Sequence, residues 1–212
     1  MRVATSNAFY LNNKLPAYRA RLVKTGVAVM ALQEAQHVGN IKGYTRYSAE
    51  QKRAGVAQGT ALYVRDNVRV DGHVWQRGTE GLGGNAHARY LNMVYVRHGG
   101  VKWAPIVIHN NPGRLGKPNN QAANLMRSVL EFAEFAKAEG YHPFVLGDFN
   151  RRSVERGVST PFWLSKQLGG KMLLHGIDGI VVPKGVEIAA FNSRGRPPGA
   201  DHQLITAKVK KV

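Results

Sequence analysis

Eight polar residues stand where apolar stretches of this chain begin or end: Asn7, Glu34, His109, Asp148, Asn150, Asp178, Asp201 and His202. Carboxylates and carboxamides together make a hard-oxygen environment, suited to Mg²⁺ with Mn²⁺ as the alternative. Two histidines could serve zinc instead, but there is no His-Glu-x-x-His motif and no compact set of three ligands. Singly, each residue has an ordinary reading. Asp148-Phe149-Asn150 could be a turn closed by Asx hydrogen bonds, Glu34 a helix-capping or surface acid, and His109 a packing residue. Repetition sets the group apart. A polar residue recurring at the rims of apolar strands is what a site assembled at the edge of a sheet looks like.

The stretch that organises the others is Pro143-Phe144-Val145-Leu146-Gly147-Asp148-Phe149-Asn150. On a strand, residues i and i+2 point to the same side. Asp148 and Asn150 are therefore expected to face one pocket, with Phe149 turned into the core. Upstream, residues 121–139 read as an amphipathic helix, because Leu125, Val129, Phe132 and Ala136 recur at helical spacing. Gly140 then breaks it. Helix, tight turn, strand and polar loop is the order in which α/β sheets present chemistry at carboxyl ends.

The other positions need similar elements. A first strand is expected over 3–10, with Asn7 inside it or near its end, and a short helix over 16–24 with Arg19 and Arg21 outward. A buried strand over 27–32 delivers Gln33-Glu34. Strand-like stretches at 59–64 and 68–75 flank Arg65-Asp66-Asn67, read as a hairpin turn. Residues 78–87 form a glycine-rich loop without the Gly–Lys–Ser/Thr pattern of a P-loop. A strand over 89–96, a turn at Gly99-Gly100 and a strand over 102–108 lead to His109 and a polar loop holding Arg114 and Lys117. Residues 151–170 read as mostly loop, with a short helix near 161–167. Its Phe162 and Trp163 are expected to be buried over the sheet, base stacking being the alternative. Asp178 opens an apolar strand. An exposed loop over 192–200, with Arg194 and Arg196, then delivers Asp201-His202 to the last strand, 203–209. No repeat, linker or low-complexity stretch interrupts the chain, so one domain over 1–212 is expected.

With 212 residues, 43% of them hydrophobic, the chain can bury a substantial core. Lys and Arg number 30 against 13 acids, a formal charge of +17. Such a field attracts polyanions. The excess is dispersed from Arg2 to Lys211 and so is not the work of a tail. The absence of cysteine excludes disulfides, thiolate catalysis and cysteine-based zinc sites. No apolar run approaches the roughly 18 residues that span a bilayer. Asn7, Asn12, Asn13 and Lys14 interrupt any signal-peptide core. A soluble, cytoplasmic protein without integral membrane association is the expectation.

In its blocks the sequence resembles the endonuclease/exonuclease/phosphatase superfamily, the metal-dependent phosphoesterases that include DNase I-like and exonuclease III-like enzymes. Gly147 to Asn150 is similar to the family's Gly-Asp-Phe-Asn block, and Leu32 to Glu34 to its Leu-Gln-Glu block, preceded by Asn7. Ile177-Asp178-Gly179-Ile180 and Asp201-His202 resemble its two C-terminal elements. His109 falls where DNase-like members place a histidine and abasic endonucleases often a tyrosine. The chain is also shorter than abasic endonucleases, and Ile108-His109-Asn110 replaces a Thr-His-Leu-like element, so abasic-site repair is not what the resemblance favours.

The resemblance implies a four-layer α/β sandwich, two mixed sheets face to face with helices outside and a site at one edge between them. It implies that Glu34 holds a divalent cation, with Asn7 close by and Asp201 contributing to the metal environment. Asp148 would orient or deprotonate the attacking water, and Asn150 position the water or phosphate. His109 would donate to a non-bridging oxygen, and His202, held by Asp178, contact the phosphate or assist proton transfer. With the basic excess, it makes DNA the expected substrate and RNA the second. Arg114, Lys117, Arg151, Arg152, Arg194 and Arg196 are then expected to contact the backbone. Two other classes fit less well: a lipid or small-molecule phosphoesterase, and a non-catalytic nucleic-acid-binding protein. For the first no headgroup pocket or membrane loop stands out, and the second would be expected to have lost Glu34, Asp148 or His202.

Overall fold

A computed structural model describes residues 1–8, 14–49, 59–78, 89–110, 120–151 and 157–212. Two six-stranded mixed sheets face each other, with helices on their outer sides. The first contains β1 (Arg2–Asn7), β2 (Val29–Gln33), β3 (Tyr44–Ala49), β4 (Thr60–Arg65), β11 (Val186–Ser193) and β12 (Ile205–Lys211), in the order β11-β12-β1-β2-β4-β3. The second contains β5 (Arg69–Arg77), β6 (Tyr90–His98), β7 (Val101–His109), β8 (His142–Asp148), β9 (Lys171–His175) and β10 (Asp178–Val182), in the order β5-β6-β7-β8-β10-β9. Each sheet has one parallel pair at its centre, β1 with β2 and β7 with β8. A helix bridges each pair: α1 (Leu15–Val23) the first, α2 (Asn120–Ala138) the second. This is the expected four-layer α/β sandwich.

Strand alternation produces the layers. Val3, Val29, Ala31, Leu62 and Val64 of one sheet meet Val94, Val107, Phe144, Leu146, Ile180 and Val182 of the other in a shared core. The intervening residues face outward: Ala4, Met30 and Leu32 pack under α1. Ile106, Ile108 and Val145 pack under α2 and α3 (Pro161–Gln167). Leu125, Val129, Phe132 and Ala136 form the buried stripe of α2, as their spacing predicts. Gly140, at φ 77°, ends that helix. Its N–H and that of Tyr141 bond back to Lys137 and Ala136, a Schellman closure that feeds directly into β8.

Three expectations need correction. Residues 65–67 are not a hairpin turn: β4 pairs with β2 and β3, whereas β5 pairs with β6 in the opposite sheet. The chain changes layers there, which turn composition cannot report because both connections need the same polar residues. Residues 171–175 and 186–193 form strands that composition did not single out, and so do residues 44–49. All three are sheet-edge strands with many polar residues on an exposed face. Finally, β8 stops at Asp148 and does not run through Asn150, whose φ of 49° is left-handed. The loop expected at 78–87 lies almost wholly outside the described residues, as do Arg114, Lys117 and Arg152.

Candidate active site

The inward alternation that builds the shared core ends in polar residues at one edge. Val3 and Thr5 lead to Asn7, Val29 and Ala31 to Gln33, Val107 to His109, and Phe144 with Leu146 to Asp148. These are the carboxyl ends of the two parallel pairs, where α/β folds place their sites. The antiparallel strands enter at the same edge: Asp178, at the start of β10, is in register with Asp148. His202 arrives on the connection to β12.

Local backbone aims the rest. Among the described residues, Glu34 (φ 53°) and Asn150 (φ 49°) are the non-glycine residues with positive φ. Both sit at this edge, and strain of that kind persists where surrounding structure over-determines it. The left-handed turn at Glu34 takes the chain off β2. Its Oε1 accepts from Asn7 Nδ2 at 3.4 Å and lies 3.6 Å from His109 Nε2. Its Oε2 is buried with no hydrogen-bond partner among the described residues. At Asn150 the backbone N–H donates to Asp148 Oδ1 at 2.8 Å and the side chain to Asn110 O at 2.8 Å. The Asx turn, not the strand period, therefore positions Asn150. Gly147 permits the close approach beneath: a Cβ there would stand 2.1 Å from Ile108 O.

Asp148 Oδ2 accepts from Asn7 Nδ2 at 3.2 Å and lies 3.6 Å from His109 Nε2. Burial, then the facing Asp178 carboxylate, pushes Asp148 up to about 7. Two carboxylates opposite each other in register cannot both ionise without cost. Burial also raises Asp178 and Glu34. His202 Nδ1 donates to Asp178 at 2.9 and 3.1 Å, and that bond above all pushes His202 up to about 9. Asp201 is nearly half exposed, with Oδ1 4.0 Å from His202 Nε2.

Sequence reasoning gave Arg89 no role. Its parity is that of Leu91 and Met93, which face α2, so alternation conceals it. It lies at the entry to β6, buried, with Nη1 2.9 Å from His109 Nδ1. A guanidinium only donates, so Nδ1 must accept and the neutral ring carries its proton on Nε2. That N–H faces Glu34 and Asp148. Burial first, then the Arg89 charge, holds His109 well below its ordinary 6.5. In ¹⁵N spectra His109 is expected to remain the neutral Nε2–H tautomer well below pH 6.5. Arg89→Met should raise its pKa and mix the tautomers; an unchanged titration would remove Arg89 from this role.

The predicted basic contacts do not form one rim. Arg151 is buried and donates from Nη1 to Asn150 O, so it braces the Asx turn and is not a surface contact. Arg194 turns its Nε to Thr206 Oγ1 on the outer face of the first sheet. Arg196 is exposed on the loop before Asp201. Trp163 packs against the core beneath α2 and α3, and Phe162 is half-buried with the Lys166 ammonium 5.5 Å from its ring.

Two sets of residues could hold a metal. Asp148, Asp178 and His202 bring ligand atoms within 4.8 Å of one another. Their atoms are already engaged: Asp178 with His202, and Asp148 with Asn7 and Asn150. Glu34 offers a buried oxygen that no described residue engages, the property expected of a ligand to a hard cation. No described helix is long and apolar enough to cross a membrane.

No protein-family model and no curated protein matches the sequence. Solved structures match it along nearly their whole length. A mannosyl-6-phosphatase of Bacteroides thetaiotaomicron superposes with TM-score 0.77 at 12% identity, covering 99% of each chain. An endonuclease/exonuclease/phosphatase family protein of the same organism gives 0.76 at 14%, covering 99% of this chain and 97% of that one. D. rerio TDP2 complexed with single strand DNA product gives 0.69 at 16%, covering 100% and 99%. This chain has the DNase I-like fold of the endonuclease/exonuclease/phosphatase proteins.

Proposed function

We propose that this chain, built on the endonuclease/exonuclease/phosphatase fold, is a divalent-metal-dependent phosphodiesterase. Its substrate is DNA, cut endonucleolytically with little sequence preference to leave 5′-phosphate and 3′-hydroxyl ends. The observation that carries the metal-dependent chemistry is the buried Oε2 of Glu34, unengaged among the described residues, at the strand ends beside Asn7, His109 and Asp148. The +17 charge directs the choice of substrate toward nucleic acid.

Glu34 would hold Mg²⁺ or Mn²⁺, with Asn7 fixing its other oxygen and Asp201 at the exposed side. The bound ion would neutralise charge developing on the phosphoryl oxygens. Asp148, pushed up to about 7, is suited to take a proton from water near neutral pH. Asn150 holds Asp148 through its backbone N–H and would position the water or the phosphate. His109 presents Nε2–H to a non-bridging oxygen, a preorganised donor in a dry setting. His202 is an imidazolium at neutral pH, its Nδ1–H bound to Asp178, leaving Nε2–H for the phosphate or for proton transfer. In the displacement, water adds to phosphorus, the P–O3′ bond breaks, and the 3′-oxygen leaves with a proton as the hydroxyl.

A mannosyl-6-phosphatase among the structural matches favours one second reading, a monoesterase for a small phosphate. Supercoiled plasmid, a labelled 24-mer duplex, a labelled single strand and mannose 6-phosphate separate the two, each with Mg²⁺, Mn²⁺ or EDTA. Metal-dependent nicking with 3′-hydroxyl ends is the expected result. Release of phosphate from the sugar without nicking would replace the nuclease reading.

A further inference from the structure

The outer face of the first sheet carries a groove of about 140 Å³, remote from the inter-sheet gap, lined by Arg2, Arg21, Lys24, Thr25, Arg194 and Thr206 among others. Four elements build it, with β12 contributing Thr206. Arg2 starts β1, Arg21 and Lys24 end α1, and Arg194 follows β11. Register adds a fifth cation: Lys208 is the partner of Arg2 and shares its face. One or two cations at the end of α1 would merely offset its dipole. Arg2 and Lys208, on β1 and β12, and Arg194, just after β11, have no such need.

The arginines are held in place. Arg2 donates to Thr25 O at 2.9 Å, Arg21 to Arg194 O at 2.8 Å, and Arg194 to Thr206 Oγ1 at 3.2 Å. Each bond engages part of a five-donor guanidinium and orients the remainder. Among the described residues no carboxylate pairs with Arg2, Arg21, Lys24 or Arg194. By contrast, Lys210 on the same strand pairs with Glu187 at 3.0 Å, and Arg69 and Arg97 share Asp71. Fixed cations without counter-charges, spread along a shallow groove, complement a chain of phosphates better than a single anion.

We propose that this groove is a backbone-phosphate site for nucleic acid, separate from the candidate active site and joined to it along the chain by the loop carrying Asp201 and His202. Leu204, at the groove, lies two residues beyond His202. From there to the level of Arg2, whose partner is Lys208, the groove edge runs along β12 for roughly 13 Å at 3.3 Å per residue. That length matches about four phosphates of one duplex strand, at 3.4 Å of helix axis each. The site would hold a strand leaving the cleavage point, giving affinity without reading sequence. The choice of nucleic acid rests on the proposed function; the measurement of binding does not depend on cleavage.

Binding of a fluorescent 24-mer duplex in EDTA, by anisotropy between 50 and 200 mM KCl, tests it. Arg21→Gln with Arg194→Gln should weaken binding about tenfold at 100 mM salt and flatten the salt slope by about 1.8, at 0.9 per phosphate contact. Hydrolysis of bis(p-nitrophenyl) phosphate should be unchanged. Lys24→Glu, on the exposed rim, gives the same direction should the double variant fold poorly. Lys102→Gln with Arg127→Gln, beyond the second sheet, should leave affinity within about twofold. Equal losses in the two double variants would mean dispersed charge, and no loss in the groove variants would mean a solvated surface; either overturns the site. Loss confined to binding of phosphatidylserine vesicles would assign the groove to a lipid surface instead. A wild-type chain that hydrolyses the small diester yet binds no DNA would fail the nucleic-acid reading itself.

Discussion

Glu34→Gln is expected to lower metal-dependent phosphodiester hydrolysis by about 10³-fold, the scale on which removing one preorganised electrostatic group from an active site is felt. The substitution keeps the volume and the acceptor for Asn7 Nδ2 but removes the charge. Because Oε2 is buried and no described residue engages it, the wild-type carboxylate is raised by desolvation and is costly to ionise alone. A divalent ion would relieve that cost. A second readout follows: Mn²⁺ should raise the wild-type melting temperature saturably and the variant's little, since an ion stabilises by its preference for the folded state. Plasmid nicking with thermal melts at graded Mn²⁺ checks both. Near-wild-type nicking in the variant would move the metal to the Asp148, Asp178 and His202 group.

Much of this site was visible in the sequence because strand ends are legible there. Asn7, Glu34, His109, Asp148 and Asp178 each interrupt or terminate an apolar run, and the structure gathers all five at one edge with His202. What was not legible depends on contacts between separate strands. Arg89 follows an outward parity and is drawn to His109 only because β6 and β7 are neighbours. Arg151 and Arg194 look like rim cations in a loop-rich sequence. Their directions are decided by Asn150 O and Thr206 Oγ1, which no spacing rule supplies. The layer change at residues 65–67 was hidden for a related reason. A polar turn tells where a strand ends and leaves open which sheet receives the next one.

Asp148→Asn is expected to make the metal-free chain more stable at pH 8, while removing the proposed base. Asp148 is pushed from its ordinary 3.8 up to about 7, so between those values the folded chain holds a proton that the unfolded chain has released. Stability contributed by this proton is complete below pH 3.8 and is lost as pH rises through about 7. Asp178, also raised, has the same sign; His202 does too, its contribution being lost as pH rises through about 9. His109, lowered, works in the opposite direction near pH 6.5, and comparing the variant with wild type at each pH largely removes it. At roughly 1.4 kcal/mol per pH unit, ionising Asp148 in the fold costs on the order of 4 kcal/mol. The asparagine loses the bond from Asn7 Nδ2, worth about 1 kcal/mol. A net gain of about 3 kcal/mol should raise the melting temperature by roughly 5–10 °C at pH 8 in EDTA. Near pH 4 the gain should vanish, and saturating Mn²⁺ should narrow it by favouring the charged wild-type site. A variant less stable than wild type at pH 8, or equally advantaged at pH 4, would show that the facing carboxylates carry no stored repulsion. The predicted profile would instead show stability given up at the strand ends to hold a base where a phosphodiester could be cut.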